Sequence, residues 1–397
     1  MVHARATLPA VFRVALYYGF AGFGGGYSVL AQLRRDLVEK RGWLSAEEFL
    51  VLAELSKSLP GTPATNLLAL LGQRVGGVRG GVVAASAFLL PSTVLMIACG
   101  AAYSLVRAAA GLSLFFDGMN AAMVGIVGAV TVELGKSALR SRRDLGLAIL
   151  CCLLLATRVV AEPTLAATAA AIGAMLGARR IVARDETPVV PAVAADAPPK
   201  SERLHGPLPL VALPVVIAGS LTALAALARV FVPIGVMTFG GGLAMIPAIE
   251  HMVVIDEGWL DSKAFADAIA LGQITPGPVA ICATFIGYRV AGIAGALVAT
   301  IAMFAPATAL ALAAGHSIDR FRSSPMVEGA LRLLAPAVIG MLGAATYSLG
   351  RAAVGIHVDV AVAVVSFTLL MIRPIGPLWL LIGGGLVRLA VHWLGQV

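Results

Sequence analysis

Charge is what this sequence has least of. Asp, Glu, Lys and Arg make up 13% of its 397 residues, about half the share of a soluble domain. A soluble globule of this length needs far more polar surface to cover itself, so an ordinary cytosolic enzyme is excluded. Aromatic residues are also scarce, at 6%, and the apolar content rests on Ala, Val, Leu and Ile. Cysteine is limited to Cys99, Cys151, Cys152 and Cys282. All four lie in apolar stretches, with no Cys-x-x-Cys pair and no histidine at ligand spacing, so neither a disulfide framework nor a metal site is expected. The first 22 residues lack a signal-peptide cleavage pattern and read as mature chain. Nor does any His, Asp and Glu constellation gather at one interface, as a membrane enzyme acting on lipid or quinone would need.

What is present is apolar. Hydrophobic residues are 59% of the chain and the mean hydropathy is +0.93. The 44 Gly and 21 Pro follow no collagen period, and both residues are frequent in membrane helices. The composition defines an all-α polytopic membrane protein. The net charge of +8 sits in short loops between apolar runs. It reads first as a topology signal and second as attraction for anions, not as a nucleic-acid footprint.

Residues 183–207 are rich in Pro, Ala and charge and have no periodic apolar face. They read as a linker between an N-terminal repeat, 1–182, and a C-terminal repeat, 208–397. Phe23-Gly24-Gly25-Gly26, Gly42-Trp43-Leu44, Phe49 and Pro60-Gly61 recur 216 positions later. Their counterparts are Phe239-Gly240-Gly241-Gly242, Gly258-Trp259-Leu260, Phe265 and Pro276-Gly277. At an offset of 215 the match continues from Gly72-Gln73-Arg74-Val75 to Gly287-Tyr288-Arg289-Val290, and from Pro91 to Pro306. This is an internal duplication, the usual construction of secondary transporters.

Apolar runs at 8–33, 80–106, 113–138, 144–160 and 163–181 give five expected spans in the first half. Runs at 208–237, 293–316, 326–350, 357–373 and 375–394 give five in the second. Between the first two runs of each half lie two short helices parted by Pro60-Gly61 or Pro276-Gly277-Pro278. Each is too short to cross a ~30 Å core, so each pair reads as a re-entrant hairpin. Ser45 and Glu48 form a capping box that opens the first.

Five spans per half invert one half relative to the other. Most of the 29 Lys and Arg then fall on one side, which the positive-inside rule makes cytoplasmic, with the linker on that side and both termini outside. The loops before the tryptophans agree. RRDLVEKRGW (34–43) is basic, whereas EHMVVIDEGW (250–259) is acidic at the equivalent places.

The candidate site follows from the breaks. Proline stops a helix and glycine permits the turn. The helix that restarts has unpaired N–H groups and a positive dipole end. Gly24, Gly25, Gly26 and Gly240, Gly241, Gly242 either pack helices closely or expose backbone N–H groups to an anion. Pro60, Gly61, Thr275, Pro276 and Gly277 form the breaks. Thr62, Thr65 and Asn66 can donate hydrogen bonds from the restarting helix. Lys57, whose counterpart is Gln273, lies one turn before the first break. Arg74 and Arg289 sit at hairpin ends and suit an oxyanion, or snorkel at the interface. Glu54 is the candidate for proton coupling, or faces the interface.

The FGGG, GWL, LPG and TPGPVA motifs, followed by G-x-R-V-x-G, resemble the chromate ion transporter family. Both halves match, so the resemblance is to its long two-domain form and covers nearly all residues outside the linker. Half one departs from the pattern at Lys57, where Gln is usual, and at Thr62. The resemblance implies export of chromate from the bacterial cytoplasm across the inner membrane, conferring resistance, with sulfate as the structural analogue. The alternatives are a sulfate-like anion importer or exchanger and, in other classes, an anion channel or a membrane enzyme. The expected partners are the anion and the lipid bilayer, with a homodimer left open. No cofactor, metal or nucleic acid is expected.

Overall fold

The computed structural model describes residues 6–22, 25–108, 110–139, 141–157, 164–165, 168–169, 171–176, 217–237, 245–316, 325–373 and 375–395. The 183–207 segment, Gly24, Gly240, Gly241 and Gly242 lie outside these residues. The described residues are helical and contain no strand. That is one of the two structures that satisfy every backbone polar group inside a bilayer. The first half contains α1 (Leu8–Ala21), α2 (Gly25–Arg34), α3 (Ala46–Ser58), α4 (Pro63–Ala108), α5 (Ala110–Ala138) and α6 (Arg142–Ala156). The second contains α7 (Ile217–Met237), α8 (Ile246–Glu250), α9 (Ser262–Ile274), α10 (Cys282–His316), α11 (Pro325–Ala353), α12 (His357–Ile372) and α13 (Pro377–Leu394).

Among the described residues, five segments are long and apolar enough to cross a membrane: Pro63–Leu105, Gly111–Lys136, Val279–Gly315, Arg332–Ala353 and Pro377–Leu394. Leu8–Ala21, Leu221–Val236 and His357–Ile372 are shorter apolar helices. Large apolar side chains such as Leu105, Ile301, Val364 and Leu386 face outward. In water they would be a liability; in a bilayer they meet acyl chains.

The duplication extends to the backbone. Among the described residues, the six glycines with positive φ form three equivalent pairs: Gly42 and Gly258, Gly61 and Gly277, Gly77 and Gly292. Two expectations are corrected by this shared plan. The first apolar run is not one continuous helix. It stops at Gly22, whose N–H caps the Tyr18 carbonyl at 2.8 Å, and restarts as α2. The segments before the tryptophans are not open loops either. Arg35–Lys40 and His251–Asp256 are π-helical turns. Their ends are closed by the same bonds, Arg41 N–H to the Asp36 carbonyl and Glu257 N–H to the Met252 carbonyl.

α4 and α10 are each folded back on themselves. Gly76 and Gly77 leave helical geometry in α4, as do Ala291 and Gly292 in α10. The φ of +60° at Gly77 and Gly292 is one that L-residues rarely adopt. The folded limbs touch so closely that a Cβ on Gly72 would lie 2.2 Å from the Gly80 carbonyl oxygen, and one on Gly287 would lie 2.3 Å from that of Gly295. The 63–75 limb therefore belongs to the hairpin with α3, and the 78–108 limb is the span. At 1.5 Å per residue that span is about 45 Å long. One cavity is lined by Trp43 and Glu48 at the start of α3 and by Arg74 and Val75 at the end of the short limb. The two hairpin arms thus share a base.

The long limbs cross-connect the halves. α4 packs on α10, α1 on α4 and α7 on α10, while α5 packs on α11, α12 and α13. Each long limb starts at its own hairpin and ends at the base of the other. Gln73 Nε2 donates to the Leu312 carbonyl at 2.8 Å, and Gly315 lies against the Gln73 side chain. At the equivalent place Gly100 lies against the Tyr288 ring. The two limbs therefore run antiparallel.

Candidate functional site

The tip of each hairpin is buried against the middle of the other half's long limb. A Cβ on Gly61, where φ is +100°, would lie 2.6 Å from the Ala307 Cβ. One on Gly277, where φ is +114°, would lie 3.2 Å from Ser92 Oγ. Ser92 and Ala307 are equivalent residues, each following the proline of its limb, Pro91 or Pro306. Only glycine supplies both the turn and the close approach here.

The two tips differ in polarity. In half one Thr62, Thr65 and Asn66 are buried. Thr62 Oγ1 donates to Thr65 Oγ1 at 2.7 Å. Asn66 Nδ2 donates to the Pro60 carbonyl at 2.7 Å and the Ser56 carbonyl at 3.4 Å. In half two Ala280 and Ile281 stand where half one has Thr65 and Asn66. There Thr275 Oγ1 donates to the Leu271 carbonyl at 2.7 Å and reaches Met96 Sδ at 3.4 Å. The Gly277 N–H donates to the Gly22 carbonyl at 3.0 Å, so the end of α1 closes this tip. Thr275, Pro276 and Gly277 are buried, Pro60 and Gln273 half-buried. Gly25 and Gly26 open α2.

The charged candidates are not gathered into these tips. Lys57 is exposed, and its Nζ lies 3.2 Å from Oε1 of exposed Glu54 on the same helix. Arg74 is exposed at the hairpin-one base, beside a cavity of about 370 Å³. Arg289 is exposed at the hairpin-two base, with its guanidinium 5.3 Å from the centre of the Tyr103 ring.

The structure adds a cluster that sequence reasoning missed. Asp267 on α9 is fully buried. Its Oδ2 accepts from Tyr103 Oη at 2.6 Å and Arg107 Nε at 2.8 Å, and its Oδ1 accepts from Asn120 Nδ2 at 2.7 Å. Arg107 also donates to Ser113 Oγ at 2.8 Å and lies 3.4 Å from Asp117. Lys263 reaches Asp117 at 3.0 Å. This latch ties hairpin two to α4 and α5 of the other half. A fully partnered buried carboxylate is held firmly, and removing one partner is costly. Asp267 is the one charged residue between Lys263 and Arg289, the signal that could have found it. Its position in half one is held by Val51, so the duplication gave no hint of it. Among the described residues no group of His, Cys, Asp and Glu is placed to hold a metal ion.

Fold and site together define a helical membrane protein of two like halves, whose broken hairpins meet the opposite half's span. The chromate transporter family matches residues 9–177 and 225–389, and the chain belongs to that family. A probable chromate transport protein of Synechococcus elongatus is 32% identical, over 88% of this chain and 86% of the relative. Chromate transport proteins of Cupriavidus metallidurans and Pseudomonas aeruginosa are 28% and 29% identical. They cover 97% and 87% of this chain and 94% and 82% of their own. No solved structure matches.

Proposed function

We propose that the protein is a secondary carrier of the bacterial inner membrane that exports chromate from the cytoplasm and so confers resistance. The observation that carries this reading is the paired seating of Gly61 on Ala307 and Gly277 on Ser92. It supports two inverted halves whose helix breaks lie near mid-membrane, the arrangement of alternating-access carriers. The antiparallel long limbs support the same inversion. The anion is bound between the tips by backbone N–H groups at the start of α4, with Thr62, Thr65 and Asn66, and by Thr275 on the opposite side. Arg74, at the hairpin base on the more basic cytoplasmic face, draws it in, and Lys57 adds positive charge one turn before the break. The Asp267–Arg107 latch closes the outer face, where α4 ends, and opens for release. Both termini lie in the periplasm and the linker in the cytoplasm. An inside-negative potential favours exit of an anion by ~2.3 kcal/mol per charge per 100 mV, so no chemical step is needed.

The test is uptake of labelled chromate by inside-out vesicles energised lumen-positive. Accumulation that collapses with the potential is expected. If vesicles carrying the protein take up no more chromate than empty ones, the reading fails.

A further inference from the structure

The Asp267 cluster is built like an anion site that already holds an anion. The carboxylate is met by Tyr103 and Arg107 from α4 and Asn120 from α5, all in half one, whereas Asp267 itself belongs to hairpin two. Tyr103 and Asn120 are buried. Arginine's planar fork suits two oxygens side by side, on a carboxylate or along one edge of a tetrahedral oxyanion. Here the fork is not matched to two. Nε donates to Oδ2 at 2.8 Å, and Nη2 lies 2.6 Å from the same oxygen. Nη2 is buried, and no acceptor is aligned with it. The cradle therefore holds a carboxylate and keeps a donor for an anion with more oxygens.

The cradle also lies between the tip and the surface. Asp267 is two turns, about 12 Å, from Thr275 at the tip. Tyr103 lies two turns beyond Met96, which Thr275 touches. Exposure rises from the fully buried Asp267 to the side chains of Arg107, at 16%, and Lys263, at 54%. Arg289 sets a second cation against the Tyr103 ring, 5.3 Å from its centre. The duplication does not repeat this arrangement. Val51, Ile318 and Ala335 stand at the positions equivalent to Asp267, Tyr103 and Asn120, and only Arg107 finds a like residue, in Arg322. The helix breaks occur in both halves and serve both faces alike, whereas a cradle built once serves one face alone.

Resting on the carrier reading above, we propose that Tyr103, Arg107 and Asn120 form an exit site for the tetrahedral oxyanion, and that Asp267 is a tethered carboxylate that fills this site until the substrate takes its place. Hairpin two is not free to withdraw on its own. Its departure would strand Nε and Nη2 of Arg107, because Asp117, 3.4 Å from Nη1, serves a different edge of the guanidinium. A buried charge left without its partner is strongly unfavourable. An arriving oxyanion replaces the carboxylate at those N–H groups and releases the hairpin. Arg107 stays paired throughout, since one anion is exchanged for another. The outer face therefore opens readily when an oxyanion is present and rarely when the carrier is empty.

The experiment removes the tethered competitor. The full chain in detergent is titrated with sulfate and with chromate, and binding is read from the rise in melting temperature. Asp267→Ala should melt below the parent without anion. Its stabilisation by either anion should saturate at a concentration roughly tenfold lower than the parent needs, because no intramolecular carboxylate competes. Adding Arg107→Leu to Asp267→Ala should abolish that gain. Asp267→Asn, which keeps the size, carries the same comparison with a smaller gain if Asp267→Ala does not give a single species. A second arm leaves Asp267 in place. A Ser92→Cys reporter, in a background with the four native cysteines replaced, is labelled from outside with an impermeant cationic thiol reagent. External sulfate should speed labelling several-fold, and Tyr103→Phe should lessen that acceleration. Anion binding no tighter without Asp267, a gain that survives Arg107→Leu, or labelling indifferent to external sulfate would overturn the inference and make Asp267 a structural tie. Each of those outcomes leaves chromate transport by the parent standing, whereas absence of any chromate uptake by parent vesicles strikes the proposed function instead.

Discussion

Gly61 and Gly42 both lie at positive φ, +100° and +59°, and differ in their surroundings. A Cβ on Gly42 meets nothing within 4 Å, whereas one on Gly61 meets Ala307 at 2.6 Å. Alanine at Gly42 therefore bears only the left-handed penalty of ~1–2 kcal/mol. At Gly61, farther from that well, it bears at least this penalty plus overpacking of ~1–3 kcal/mol. The expected result is that Gly42→Ala transports near the parent level while Gly61→Ala loses most transport and unfolds at a lower temperature in detergent. Equal transport and equal melting of the two variants would mean that the tip has room the structure does not show. At this scale the sequence was legible where a residue is punctuation. The Ser45–Glu48 capping box forms as read, with Ser45 Oγ accepting from the Glu48 N–H at 3.1 Å and Glu48 Oε2 accepting from the Ser45 N–H at 2.9 Å. Side-chain roles were less legible. Lys57 looked like a site cation by its distance from the break, but helical phase turns it outward to Glu54, while Asn66 is turned inward.

Hairpin two is the element on which the halves depend. α9 places Thr275, Pro276 and Gly277 at its buried end and Asp267 two turns earlier, against Tyr103, Arg107 and Asn120. If this latch closes one face, loosening it should expose the tip from that face. Asp267→Asn keeps the size and some hydrogen bonds but removes the charge that holds Arg107. Breaking a buried pair by removing one partner costs ~3–5 kcal/mol; here the loss should fall below that, because Asp117 remains 3.4 Å from Arg107. The readout is labelling of a Ser92→Cys reporter, beside Gly277, with an impermeant thiol reagent added outside. Faster labelling with Asp267→Asn than without it is expected. An unchanged rate, with stability reduced, would make the cluster a structural tie and not a gate.

For the whole molecule, the antiparallel limbs make a claim about sidedness. Lys40 and Asp256 are equivalent, exposed and at the ends of matching π-helical turns. In a background with the four native cysteines replaced, Lys40→Cys should react with an impermeant reagent only from the cytoplasmic side and Asp256→Cys only from the outside. Reaction of both from one side would refute the inverted arrangement and the five-span halves together.

Composition, helix breaks and the 216-residue and 215-residue offsets determined a great deal by themselves: an all-helical membrane protein, made twice, with hairpins interrupted at Pro60-Gly61 and Pro276-Gly277. These are local properties, since apolar length, proline and glycine act through the chain next to them. Which half meets which was decided only in three dimensions. The first limb of α4 folds back because Gly72 and Gly80 let two helices touch. That fold-back aims the long limb at the other hairpin and brings Arg107 to Asp267, 160 residues away. No periodicity carries that pairing. It exists because a buried carboxylate needs donors, and the opposite half is the part of the molecule within reach of it.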